Sequence, residues 1–401
     1  MRKVYLLTTF FVFITLFQFS CTQSGKSGLT EKSVLSADTL ELATKKMQEY
    51  IDNGKLAGIS ALIYKNGETV YRKEFGYASL NEKKPMDETT IFRIFSMSKP
   101  VTAVALMTLF DEGKFALDDK VSKYIPEFAG AMVYNADTKT LEPQIEELTI
   151  RHLLTHTSGI PYGWDQKAYV DSLYRATGAG GWDGTIGEKV KIIAKLPLKN
   201  QPGTKWEYGL SIDVAGYLVE VLSGQPLDLY MKTKIFEPLK MNDTGFFVPE
   251  EKHNRFMGMF SIKEDSLIES SGGMSEAFKK PVTLFSGGGG LVSTVNDYLN
   301  FCKMLLNNGE LDGVRVLSET ATQLIITNQL PTGVNYEENK GYGLAGSVDP
   351  ETGVYGWAGA ASTKFWLDPK NEMAIIICTQ LMPSDYTYAD DFYKIVKSAV
   401  Y

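Results

Sequence analysis

Residues 92–110, FRIFSMSKPVTAVALMTLF, constrain the fold more than any other stretch, because from Pro100 to Phe110 only Thr102 and Thr108 are not apolar. A helix with no wet face belongs inside a protein large enough to surround it. With 401 residues and 44% hydrophobic content this chain is large enough. Proline is tolerated best in a first helical turn, so the helix is predicted to begin near Ser96. That places Ser96 and Lys99 three residues apart on one face, at the positive end of a buried helix. Burying an unpartnered ammonium is costly, and desolvation favours the neutral amine, which is a base within reach of a serine hydroxyl. Alone, S-x-x-K is better read as a first-turn lysine that reaches solvent beside a capping serine.

The two ends of the chain read as one antiparallel sheet. An amphipathic helix is predicted from Asp38, with Leu40, Met47, Tyr50 and Ile51 on one stripe. GISALIYKNGETVYRKEFGYA then gives two β-rich runs joined by Asn66-Gly67, a strong hairpin signal. Near the other end, GVYGWAGAASTKFWLDPKNEMAIIICTQLM gives further strands around a turn at residues 368–371, and residues 384–401 suit a closing helix. Between them the pattern is mostly helical. The expected architecture is α/β plus all-α: an antiparallel sheet flanked by helices, from about 37–95 and 285–401, with an inserted helical lobe over about 96–284.

Residues 1–20 read as an export signal, with Arg2 and Lys3 ahead of an apolar run. Ser20 before Cys21 resembles a bacterial lipoprotein cleavage site, although Gln18 stands where such sites prefer an aliphatic residue. Lipidation at Cys21, a flexible tether over 21–36 and a place in the periplasm or on the outer surface of a cell envelope are the expectations. Loss of the leader takes the formal charge from −7 to −9. With no basic cluster to offset that, a nucleic-acid partner is excluded. Cys302 and Cys378 lie in apolar patterns, and both a disulfide and two buried thiols fit them. His152 and His156 are four apart, but no third ligand motif accompanies them, so structural roles are expected. No metal and no cofactor are expected.

The segment IFRIFSMSKPVTAVALMTLFDEGKFALDDKVSKYIPEF resembles the nucleophile region of the serine β-lactamase-like family, which includes class C β-lactamases, D-Ala-D-Ala peptidases and class VIII carboxylesterases. The resemblance continues through LTIRHLLTHTSGIPYGW, PGTKWEYGLSIDVAGYLVEVLSG, SGGGGLVSTVNDYLNFCKMLLNNGEL and GWAGAASTKFWLDP, in family order. It implies a β-lactamase/transpeptidase-like fold with Ser96 as nucleophile, Lys99 as its base and Tyr208 as the catalytic tyrosine. A phenol near an ammonium exchanges protons with serine and leaving group alike. It also implies an oxyanion hole from the backbone N–H groups of Ser96 and Ala360. Gly359, on the strand of the Trp357-Ala358-Gly359 motif, is expected to let substrate approach the backbone closely.

Two departures bear on substrate. Leu210 stands where β-lactamases and peptidases have an asparagine that binds the substrate amide. Trp357 stands where they have a lysine that helps anchor a carboxylate. Leu210 and Trp357 are therefore expected to line the substrate site and to favour neutral, apolar esters, as in the class VIII esterases. A serine carboxylesterase is the function expected. The alternatives are a weak β-lactamase or D-amino-acid peptidase and, from another class, a cell-envelope binding protein that has lost turnover. The partner implied is a small ester or amide, with the membrane reached only through Cys21.

Overall fold

The computed structural model describes Met1 and residues 35–400. The leader, Cys21 and nearly all of the tether lie outside the described residues. Residues 35–401 form one unit.

Asn66 and Gly67 both adopt positive φ, +53° and +93°, which turns the chain back between β1 (Gly58–Lys65) and β2 (Glu68–Ser79). The other neighbour of β1 is the strand Met373–Cys378, in register from Ser60 opposite Cys378 to Lys65 opposite Met373. Held between two partners, β1 is buried along almost its whole length, and Met373–Cys378 is wholly buried. Eight strands form the main sheet, in the order Gly341–Tyr342, Ser347–Val348, Tyr355–Gly359, Thr363–Asp368, Met373–Cys378, β1, β2, Lys84–Pro85. Every pair is antiparallel. This is the β-lactamase/transpeptidase-like architecture that the sequence implied.

Two helices pack together on one face. The helix α1 (Ala37–Asp52), capped by Ser36, buries Ala43, Met47 and Tyr50. Its Tyr50 ring meets Tyr388 of the closing helix Thr387–Lys397 edge-on, and its hydroxyl donates to Asp391 at 2.8 Å. On the same closing helix Tyr393 stacks on Trp366 of the sheet at 4.6 Å. Against strand Thr363–Asp368, the helix Val295–Leu306 brings Tyr298 onto Phe365 at 5.1 Å. Cys302 of that helix and Cys378 of the sheet are both free and buried, which resolves the disulfide alternative, and burial pushes both thiols up.

The apolar run forms α2 (Ser98–Asp111), buried at every residue from Ser98 to Leu109. Its start differs from expectation. Phe95 has φ +40°, a left-handed conformation that no helix interior accepts, so a 3₁₀ turn over Phe95–Met97 precedes the α-helix. Tyr298 donates to Met97 O and the Leu291 N–H to Ser98 Oγ, each at 3.0 Å, and these bonds pin the turn.

Candidate active site

Phe95 presents Ser96 at the turn, its own ring locked edge-on against Phe278 at 5.6 Å. A left-handed non-glycine residue costs roughly 1–3 kcal/mol and persists where packing imposes it. Three residues on, Lys99 is 0% exposed. Its Nζ lies 3.0 Å from Ser96 Oγ, 3.0 Å from the Tyr162 hydroxyl and 2.6 Å from Gly288 O. Three contacts match the three directions of an amine nitrogen, and among the described residues no carboxylate pairs with it.

Tyr208 reaches the same serine, its hydroxyl 2.8 Å from Ser96 Oγ. Several contacts place it. The Gly203 N–H donates to Thr157 O and the Glu207 N–H to His156 O, each at 2.8 Å. Gly209 must be glycine, because a Cβ there would sit 1.8 Å from Ile160 O. The WEYG and HTSGIPYGW segments are thus laced together, and Tyr162 meets Tyr208 edge-on at 5.2 Å. Burial, with Tyr208 close by, holds the Tyr162 hydroxyl well above the usual phenol range, so it stays protonated. Burial, with the charge of Lys99, holds His156 well below the ordinary imidazole range, so it packs neutral with its centroid 5.0 Å from that of Tyr208.

Ser96, Tyr208, Trp357 and Ala360 line one cavity of about 700 Å³. Trp164, Trp206, Tyr336 and Trp366 supply much of the rest of its wall. Trp206 stacks on Tyr208 at 5.8 Å, and Trp164 stacks on Tyr162 at 4.3 Å.

One expected site residue is placed elsewhere. Leu210 is 2% exposed, immediately before the helix Ser211–Ser223, and its side chain joins the core instead of the cavity. At Gly359 the structure shows a close approach of the chain to itself: a Cβ there would lie 2.2 Å from Ile94 O, so the glycine seats its strand against the nucleophile turn. His152 closes a capping box with Thr149, and His156 lies beyond the end of that short helix, so the two histidines share no ligand position.

Nothing in the sequence marks Tyr162 as a partner of Lys99, although it lies within HTSGIPYGW; 63 positions separate the two and no spacing rule joins them. Asp213 and Lys189 are likewise unmarked. Asp213 is 1% exposed, accepts from Ser286 Oγ at 2.6 Å and from the Gly288 N–H at 3.1 Å, and pairs with Lys189 at 3.3 Å. Burial raises its carboxyl, but Lys189, those two hydrogen bonds and Lys99 outweigh it and hold the group below the usual carboxylate range.

Residues 43–399 match the Beta-lactamase family. The chain is 27% identical over 379 residues to esterase EstB of Burkholderia gladioli, covering 87% of this chain and 93% of the relative. It is 27% identical over 394 residues to the lovastatin esterase of Penicillium rubens, covering 88% and 96%. Among solved structures, EstCE1, described as a hydrolase with promiscuous acyltransferase activity, superposes with a TM-score of 0.74 at 26% identity, covering 91% of this chain and 99% of that one. By sequence and by fold, this chain belongs to the Beta-lactamase family, among relatives that are serine hydrolases.

Proposed function

We propose that the protein is a carboxylesterase that works through an acyl-enzyme on Ser96. The observation that carries this reading is the pair of contacts on Ser96 Oγ, Lys99 Nζ at 3.0 Å and the Tyr208 hydroxyl at 2.8 Å, at the wall of an aromatic cavity. Ser96 Oγ attacks the ester carbonyl and its proton passes to Lys99. The N–H groups of Ser96 and Ala360 receive the oxyanion, Tyr208 gives its phenolic proton to the leaving alkoxide, and the proton that Lys99 took from Ser96 replaces it, which frees Lys99 as base again. Water, activated by the same groups, then releases the acid and restores Ser96.

Trp357 supports an ester over a β-lactam, since indole offers no cation for a substrate carboxylate. With Leu210 buried, no side-chain amide at that position reaches the cavity either. Two absent polar contacts, each worth roughly 1–3 kcal/mol, correspond to a preference of about a hundredfold or more. The test is kcat/KM for acetyl and butyryl p-nitrophenyl esters beside a chromogenic cephalosporin, with Ser96→Ala as control. Esters should exceed the cephalosporin by about two orders of magnitude. Equal efficiency would replace this reading with the lactamase or peptidase one.

The export leader and Cys21 support a second part of the proposal, a lipid-anchored protein of the cell envelope. Metabolic labelling with a palmitate analogue should mark wild type and not Cys21→Ser.

A further inference from the structure

The SGGGG run folds directly over the first turn of the helix Ser211–Ser223. A Cβ on Gly287 would meet Ile212 O at 2.8 Å, and one on Gly288 would meet Asp213 Oδ2 at 3.2 Å. This contact puts Gly288 between the side chains of Asp213 and Lys99. Its N–H donates to Asp213 Oδ1 at 3.1 Å, and its carbonyl accepts from Lys99 Nζ at 2.6 Å. Behind Asp213 stands Lys189, 7% exposed, with Nζ 3.3 Å from Oδ2. A buried ion pair is in general no more stabilising than apolar residues of the same volume, so stability is a weak reason for one here. Its position, one peptide away from the lysine that touches Ser96, is a better reason.

We propose that Lys189 and Asp213 are positioning residues for the reaction: Asp213 orients the Gly288 carbonyl onto Lys99, and the balance of charge within the pair sets how readily Lys99 gives up its proton. The inference rests on the serine-hydrolase reading of Ser96 and adds to it two residues that do not line the cavity. The groups that face Lys99 are Ser96, Tyr162, Tyr208, His156, Gly288 O and, through that peptide, Asp213. The Tyr162 phenol stays protonated and the His156 imidazole neutral, so the Lys189–Asp213 pair supplies the fixed charge. Asn at position 213 keeps an oxygen for Ser286 Oγ and the Gly288 N–H while removing that charge.

The signs are opposite for the two partners. Asp213→Asn leaves the Lys189 ammonium uncompensated, which disfavours a second positive charge at Lys99. Lys189→Met leaves the Asp213 carboxylate uncompensated, which favours it. The experiment measures the rate of Ser96 labelling by a fluorophosphonate against pH, on the folded full-length protein, and in parallel kcat and KM for p-nitrophenyl butyrate. Asp213→Asn should move the acidic limb of the profile to lower pH by about half a unit or more, and Lys189→Met should move it to higher pH by a similar amount. The double variant should fall back between them. KM should stay within about threefold, while kcat falls about tenfold for Asp213→Asn as Gly288 loosens. If Asp213→Asn does not fold, the shift in Lys189→Met alone decides the matter. Profiles that do not move, or that move the same way in both single variants, overturn the proposal. A wild type that is labelled but does not hydrolyse the ester defeats only the esterase reading, since the labelling profile needs no substrate. A wild type that is not labelled defeats both.

Discussion

Gly359 and Ile94 approach so closely that a methyl group on the glycine would stand 2.2 Å from the Ile94 carbonyl oxygen. Ile94 lies two residues before the nucleophile, and Ala360, one of the two oxyanion donors proposed, lies one residue after the glycine. The missing side chain therefore sets the distance between the two halves of the proposed oxyanion hole. From the other side, the Tyr386 hydroxyl donates to Gly359 O at 3.0 Å and Ser384 Oγ to Ala360 O at 2.7 Å, so the strand has no free direction in which to retreat. Gly359→Ala should lower stability by about 1–3 kcal/mol through overpacking. It should lower kcat about a hundredfold through a displacement near 1 Å. Thermal denaturation and ester kinetics check the two parts, and an unchanged kcat would detach Gly359 from the site.

Lys99 holds Ser96 on one side and Tyr162 on the other, so the two tyrosines near it are expected to differ in consequence. Tyr208 touches Ser96 itself, and Tyr208→Phe should reduce kcat by about a hundred- to ten-thousandfold, the usual range for an acid–base group. Tyr162→Phe removes one partner of Lys99 and leaves Ser96 in contact with both of its own. Its cost should be that of one hydrogen bond to a charged or polar group, about tenfold to a hundredfold in kcat, with KM little changed. Steady-state kinetics on one ester rank the variants, and a greater loss for Tyr162→Phe would make Tyr162 the proton carrier.

What was legible in the sequence depended on how local the physics was. The burial of Lys99 follows from a run with no polar face, and the Asn66-Gly67 hairpin from two residues that accept positive φ. Both are decided within a few residues. The place of Leu210 is not: motif spacing sets it two residues from Tyr208, but whether its side chain faces cavity or core depends on how the helix that begins at Ser211 packs. At Gly359 the sequence reports only that something comes close to the backbone, and the fold adds that Ile94 O is one such neighbour. Tyr162 touches Lys99 and Asp213 reaches it only through Gly288, with Lys189 behind, from three separate segments, and no pattern within one segment marks such a meeting.

A last expectation concerns stability and pH, away from the cavity. Asp297 sits in the first turn of the helix Val295–Leu306, 7% exposed, and accepts from the Asp243 N–H at 2.7 Å and from Thr244 Oγ1 at 2.9 Å. Burial, with some repulsion from Asp243, outweighs these bonds and pushes its carboxyl from 3.8 up to about 6. A carboxyl whose folded value lies above its unfolded value holds its proton more tightly in the native state. The stability this contributes is complete below about pH 4 and is lost as pH rises through about 6, and the loss reaches about 3 kcal/mol at neutrality. Asp297→Asn cannot ionise and keeps an acceptor oxygen. Denaturation of both proteins should therefore show the variant gaining on wild type between pH 4 and pH 7, by up to that amount. Other titrating groups cancel in the comparison, so a difference that stays flat across this window would mean that Asp297 ionises in the folded protein as freely as in the unfolded chain.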